Sequence, residues 1–309
     1  MKKRICLLVI ILLITFGYLI GHYFVGYAFR RGNDANPKAI PAACAAIHDT
    51  SAQLPPRPNA ESEVWSLVSE DGITLRGTHF SPPQPSHRWV ILVHGYGRDQ
   101  RFVWDLASAY LKQGFEVFTP DMRGAGESDG KYLTMGVKES EDVRAWARQI
   151  AVRDSGASIV LHGVSMGAAT VMLAAADSPQ QVAALVEDCG YTSAYEMFSA
   201  QLKQLFGLPA FPIMPCVNAV SRVETGAWLS DAAPINRMPG LPTFFIHGDA
   251  DKLAPVGMAY DLYTASEATG KELLIVPGVG HADAKTDAQE LYYSTVFTFL
   301  ESLVVDIGK

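Results

Sequence analysis

Hydrophobic and polar positions divide the chain into three textures. From Ile5 to Phe29 the residues are apolar almost without a break, interrupted only by Thr15, His22 and a few glycines and tyrosines. A run of roughly 20–25 such residues can cross a hydrocarbon layer about 30 Å thick. From Gly32 to about Ala60 the chain turns to Ala, Pro and Asn, ending near Pro55-Pro56 and Pro58, the composition of a spacer. Beyond it, apolar runs of strand length alternate with stretches of helical period.

The pattern predicts a hairpin from Glu63–Glu70 and Thr74–Phe80, turned at Asp71-Gly72. The continuous run Trp89–Val93 predicts a strand buried on both faces, as do Phe115–Thr119, Ser158–Leu161, Val182–Val186, Thr243–Ile246 and Glu272–Val276. Helical periods fall between them over Arg101–Gln113, Val137–Asp154, Met166–Asp177, Pro255–Ala268 and Thr286–Leu303. An antiparallel start followed by repeated strand–helix units implies an α/β fold, with a mostly parallel sheet of about eight strands flanked by helices. The rhythm breaks between Asp188 and Pro242, too long for an ordinary connection. Apolar-periodic stretches at Ser193–Phe206 and Ile213–Val223 make this a small helical cap, inserted at about residues 191–238 after the sixth strand. The expected organisation is an N-terminal membrane segment over 1–31, a linker over 32–60 and one catalytic-size domain over 61–309.

Composition narrows the function. The 309 residues carry a net charge of -7, and after Arg31 there is no block of lysines or arginines. A nucleic-acid partner is therefore not expected, because phosphate binding needs a basic face. Lys2, Lys3 and Arg4 precede the apolar run and Arg30-Arg31 follow it, a small bias toward an N-terminus inside and a domain outside the cytoplasm. A cleaved signal peptide shares the positive start, and Gly26-Tyr27-Ala28 offers a small-residue site, but the run outlasts a usual signal core. A single-pass anchor in the cell membrane is the expectation. The 4 cysteines form no disulfide framework. Cys189 and Cys216 are read as small buried thiols. No His/Cys spacing matches a zinc site.

The strongest chemical signal is Ile159-Val-Leu-His-Gly163-Val-Ser165-Met-Gly167 followed by Ala168-Ala169. It reads strand, sharp turn, helix, with glycines where a crowded, strained turn needs them. Ser165 is thereby the candidate nucleophile at a helix N-terminus. A serine hydroxyl needs a base. Among the 8 histidines, His281 lies in Pro277-Gly-Val-Gly-His281, a loop after the last strand that can swing an imidazole over the sheet edge. His94, His162 and His247 each precede a glycine at the end of a buried run, and His94 is expected to brace its loop. The third member must fix the imidazole tautomer. Gly248-Asp249-Ala-Asp251 supplies two carboxylates after the penultimate strand, Asp251 further into the loop and favoured, Asp249 suited to a turn. Glu187 or Asp188 is a minor alternative. For the oxyanion, the N–H of Met166 and that of Tyr96, in the loop His94-Gly95-Tyr96-Gly97, are the candidate donors, with the tyrosine ring lining the pocket.

Taken together, His94-Gly-Tyr-Gly, Asp121-Met-Arg-Gly-Ala-Gly-Glu-Ser128, Gly163-Val-Ser-Met-Gly167, Gly248-Asp-Ala-Asp251 and Gly280-His281 resemble the α/β-hydrolase superfamily over about residues 60–305. Glu187-Asp-Cys-Gly-Tyr-Thr-Ser193 resembles the Bem46-like and bacterial membrane-anchored hydrolases of the serine aminopeptidase S33 type. The resemblance implies the α/β-hydrolase fold, with the loop from Asp121 to Ser128 structural and Arg123 hydrogen-bonded within it. The expected activity is hydrolysis of carboxylic esters, thioesters or lipid-like acyl substrates through an acyl-enzyme, without metal or organic cofactor. Peptide or amide cleavage by the same triad is the alternative. Dehalogenase chemistry is disfavoured because it needs a carboxylate where Ser165 stands.

Overall fold

The computed structural model describes residues 2–31 and 54–307. Most of the spacer, with Cys44 and His48, lies outside the described residues. The hairpin is β1 (Glu61–Val68) and β2 (Thr74–Ser81), with Gly72 in the left-handed region at φ +83°. Then come β3 (Arg88–Val93), β4 (Glu116–Pro120), β5 (Ser158–Val164), β6 (Val182–Asp188), β7 (Thr243–Gly248) and β8 (Lys271–Val276). They form one 8-stranded sheet in the order β1-β2-β4-β3-β5-β6-β7-β8. Only the pairings of β2 with β1 and β4 are antiparallel; the rest are parallel.

The helices are α1 (Lys2–Phe29), α2 (Trp104–Lys112), α3 (Val137–Arg153), α4 (Met166–Ala175), α5 (Ala194–Phe206), α6 (Ala210–Thr225), α7 (Gly257–Ala265), α8 (Ala284–Asp287) and α9 (Gln289–Ile307). Alternation along β3 explains its unbroken apolar run. Val90 and Leu92 join Tyr110, Tyr292 and Phe299 under α2 and α9, whereas Trp89, Ile91 and Val93 join Trp146, Val171 and Leu262 under α3, α4 and α7.

Element boundaries shift for local reasons. The predicted helix at Arg101 opens as a 3₁₀ turn over Gln100–Val103, capped by Asp99, whose carboxylate accepts the Arg101 N–H at 2.9 Å. The predicted helix over Thr286–Leu303 is two helices, because Ala288 leaves helical φ/ψ between α8 and α9. In the insertion after β6, Ser193 caps α5 by accepting from Glu196 N–H, and Gly207 ends it in the left-handed region.

The largest departure concerns α1. Its side chains are exposed from Ile5 through Phe16, but Gly21, Val25 and Phe29 are buried. Val25 and Phe29 belong to a third apolar cluster with Met197, Leu202, Met214, Val217 and Val220 of the insertion. The uniform apolarity of the run conceals this, since lipid and a cap helix ask for the same residue types.

Candidate active site

The site is built where three parallel strands end. After β5 the chain turns so sharply that Ser165 adopts φ 59°, ψ -118°, before α4 begins at Met166. The two flanking glycines have a steric cause. A Cβ on Gly163 would stand 2.1 Å from the Gly167 carbonyl oxygen, and one on Gly167 would stand 2.1 Å from that of Val93. The turn can close only with hydrogen at both positions.

His281, in the loop after β8, places Nε2 2.7 Å from Ser165 Oγ and Nδ1 2.6 Å from Asp251 Oδ2. An ionised carboxylate only accepts, so Nδ1 carries the hydrogen and Nε2 is left to receive the serine proton. Asp251 is itself fixed: Oδ1 accepts the N–H groups of Leu253 at 2.8 Å and Ala254 at 2.9 Å. Burial pushes its carboxyl up, but hydrogen bonds from His247 and His281, with the Ala254 N–H, outweigh burial and hold it well below the usual carboxylate range. Asp249, by contrast, is exposed and accepts the Gly278 N–H at 2.6 Å, tying the two loops together. Of the two carboxylates, Asp251 is the one beside His281.

His247 was not singled out by its motif. Its Nε2 lies 2.7 Å from the Ala254 carbonyl, so that nitrogen carries hydrogen, and 3.2 Å from Asp251 Oδ2. It is a second donor on the carboxylate that orients His281. The available signal was the spacing His247…Asp251, four positions apart across one loop.

The remaining residues fall as follows. His94 braces its loop: Nδ1 donates to the Gly95 carbonyl at 2.9 Å, and Nε2 accepts the Met122 N–H at 3.0 Å. Burial pushes its pKa down, in keeping with a neutral ring. His162 lies between the hydroxyls of Tyr110 and Tyr292, each 3.0 Å away, and burial lowers it to about 3. The loop His94–Gly97, the candidate oxyanion loop, abuts Ser165, since a Cβ on Gly95 would lie 3.3 Å from that of Ser165. Met166 is buried beside it. The Tyr96 side chain, expected to line the pocket, donates its hydroxyl to the Ala28 carbonyl of α1 at 2.6 Å. Arg123 is structural, bonding both oxygens of Asp142 at 2.7 Å.

Glu187 and Asp188 end β6 beneath the site, fully covered. Asp188 Oδ2 accepts from the Tyr292 hydroxyl at 3.0 Å, and Glu187 Oε2 accepts the Gly190 N–H at 2.9 Å. Neither reaches His281 by a hydrogen bond among the described residues. Burial raises Glu187 to about 7 and Asp188 to about 6. A carboxyl raised on folding supports the folded state fully below its unfolded pKa and loses that support as pH climbs through the folded value. Stability should therefore fall between about pH 4 and pH 7. Glu187→Gln should remove most of its share, raising the melting temperature at pH 8 by roughly 5 °C with little change at pH 5. An equal shift at both pH values would contradict a titrating Glu187.

Ligand atoms of Cys189, Asp251 and His281 lie within 4.8 Å of one another, close enough for a metal ion. The donor set fits one poorly. Both His281 nitrogens and both Asp251 oxygens already hold hydrogen-bond partners, and burial pushes the Cys189 thiol well up, away from the thiolate a metal needs.

A mostly parallel sheet in this order, with a serine elbow after β5, a histidine loop after β8 and a helical insertion after β6, defines the α/β-hydrolase fold. The family model described as Serine aminopeptidase, S33 matches residues 84–206. The YqkD protein of Bacillus subtilis is 25% identical over 79% of this chain and 80% of its own length. Human monoglyceride lipase is 23% identical over 75% of this chain and 88% of its own. The solved esterase Pf2001 of Pyrococcus furiosus has the same fold, with TM-score 0.65 and 22% identity over 81% of this chain and 99% of its own. The fold is that of the α/β-hydrolase superfamily, and these relations support membership of it and a hydrolase activity.

Proposed function

We propose that the protein is a membrane-anchored serine hydrolase that cleaves carboxylic esters, thioesters and lipid-like acyl substrates included. The observation that carries this reading is the unbroken relay Ser165–His281–Asp251, at 2.7 Å and 2.6 Å, on a strained elbow. Ser165 Oγ attacks the acyl carbonyl carbon while its proton passes to His281 Nε2, and Asp251 stabilises the imidazolium. The N–H groups of Tyr96 and Met166 receive the oxyanion. Collapse of the tetrahedral adduct breaks the bond to the leaving group, which takes the proton from His281. Water, deprotonated by the same imidazole, then releases the acid and restores Ser165.

Support for an acyl preference comes from the third cluster, in which Met166 packs with Met197, Leu202, Met214 and Val217 and Tyr96 lies against it, so that both oxyanion candidates adjoin the apolar core of the cap. The S33 family match favours aminopeptidase activity as a second reading. That chemistry needs a carboxylate for the substrate ammonium; in the insertion Glu224 is engaged by His22 and Tyr132, while Glu196 and Asp231 are exposed. Localisation follows from α1, whose apolar window has mean hydropathy 2.5. It serves as a single span in the cell membrane, with the domain extracytoplasmic by the order of its flanking charges.

The test is a substrate panel on full-length protein in detergent. p-Nitrophenyl esters of increasing acyl length should be hydrolysed, with kcat/KM rising from short to medium chains. Turnover of amino-acid anilides with none of any ester would replace this reading with the aminopeptidase one.

A further inference from the structure

α1 combines two behaviours in one helix. Residues 2–20 are exposed or half-buried, and at 1.5 Å per residue they measure about 28 Å, close to a hydrocarbon layer. From Gly17 onward the helix also lies against α6. A Cβ on Gly21 would stand 2.5 Å from Val220 Cγ2 and 2.6 Å from the Cys216 carbonyl oxygen, and one on Gly17 would stand 3.2 Å from Cys216 Sγ. Gly17 and Gly21 form the small-xxx-small spacing by which membrane helices approach each other closely. Here that face is occupied within the same chain.

Polar contacts pin the seam. Glu224, near the end of α6, takes His22 Nδ1 at 2.6 Å on Oε1 and the Tyr132 hydroxyl at 3.0 Å on Oε2. Beyond the helix, the Leu133 N–H donates to the Phe29 carbonyl at 2.8 Å, and Arg31 donates to the carbonyls of Ser128 and Gly126, both at 2.7 Å. The same last turn receives the Tyr96 hydroxyl on Ala28. A segment removed as a signal peptide would take this wall with it.

We propose that the second half of α1 is a permanent wall of the cap, seated on α6 through Gly17 and Gly21, and that through Ala28 it positions Tyr96 and the loop beside Ser165. The seating is independent of the catalytic reading; the positioning of Tyr96 rests on it. Gly17, Gly21 and Ala28 are positioning residues, acting on substrate only through that loop.

The seating is tested by cross-linking in full-length protein in membranes, with Cys6 and Cys44 replaced by serine. A disulfide puts each Cβ about 3 Å from the far sulfur, so Gly17→Cys should join Cys216 within one chain under mild oxidation. The product is read as a linked peptide pair by mass spectrometry. A dimer linked through position 17, or no link at all, would overturn the seating, the dimer because the glycine face would then serve chain association. The positioning is tested by the matched pair Gly21→Ala and Gly26→Ala. Both changes favour the helix equally, but a Cβ at Gly26 meets nothing within 4 Å. Gly21→Ala should lower kcat for esters about 10-fold with KM within twofold, and Gly26→Ala should leave both unchanged. Tyr96→Phe should lower kcat similarly and add little on top of Gly21→Ala. Equal kcat for the two glycine variants, or full additivity with Tyr96→Phe, would overturn the positioning. If the wild type hydrolyses no ester, the catalytic reading fails while the cross-link still decides the seating.

Discussion

Ser165→Ala should abolish ester hydrolysis and labelling by a fluorophosphonate probe, with a loss of roughly five to six orders of magnitude in kcat. The expectation follows from what remains after the change. The His281 imidazole keeps its hydrogen bond to Asp251 but has no hydroxyl from which to take a proton, so no acyl-enzyme can form. The residual rate would come from the oxyanion donors and substrate binding acting on water alone. Only one hydroxyl oxygen is removed, and the alanine keeps the Cβ that the elbow already accommodates at φ 59°. Thermal stability should therefore hardly move. Probe attachment surviving Ser165→Ala would show that another nucleophile does the chemistry.

The elbow could be read in the sequence because its constraint is local. Gly163 and Gly167 are glycines for contacts made within a few residues or with the adjoining strand β3, and that cause leaves a fixed spacing. The strands were legible for a similar reason, since burial on both faces erases alternation in β3 to β7 and leaves plain apolar runs. The order Ser165, Asp251, His281 followed from the loops after β5, β7 and β8. What stayed hidden depends on partners far away in the chain. His22 and Glu224 are 202 positions apart, and neither residue type signals the other. The bond from the Tyr96 hydroxyl to Ala28 is another such contact, because α1, read as lipid-facing throughout, supplies the carbonyl. The role of His247 was obscured by its place at the end of a buried run, which suits an inert core residue equally well.

Asp251→Asn should cost about 10⁴-fold in kcat, whereas Asp249→Asn should stay within a few-fold of wild type. The asymmetry comes from which atoms each oxygen faces. Asp251 Oδ1 accepts two backbone N–H groups, an arrangement an asparagine carbonyl can keep. The amide NH₂ must then replace Oδ2, where His281 Nδ1 and His247 Nε2 both present hydrogens, at 2.6 Å and 3.2 Å. His247 cannot yield, because its Nε2 hydrogen also serves the Ala254 carbonyl. His281 can escape the clash only by moving its hydrogen to Nε2, where it faces Ser165 and can no longer accept the serine proton. Fluorophosphonate labelling should slow in step with ester turnover, since both need that acceptance. Asp249 makes one contact, with the Gly278 N–H, and an asparagine oxygen preserves it. A large loss in Asp249→Asn with little in Asp251→Asn would transfer the orienting role to Asp249.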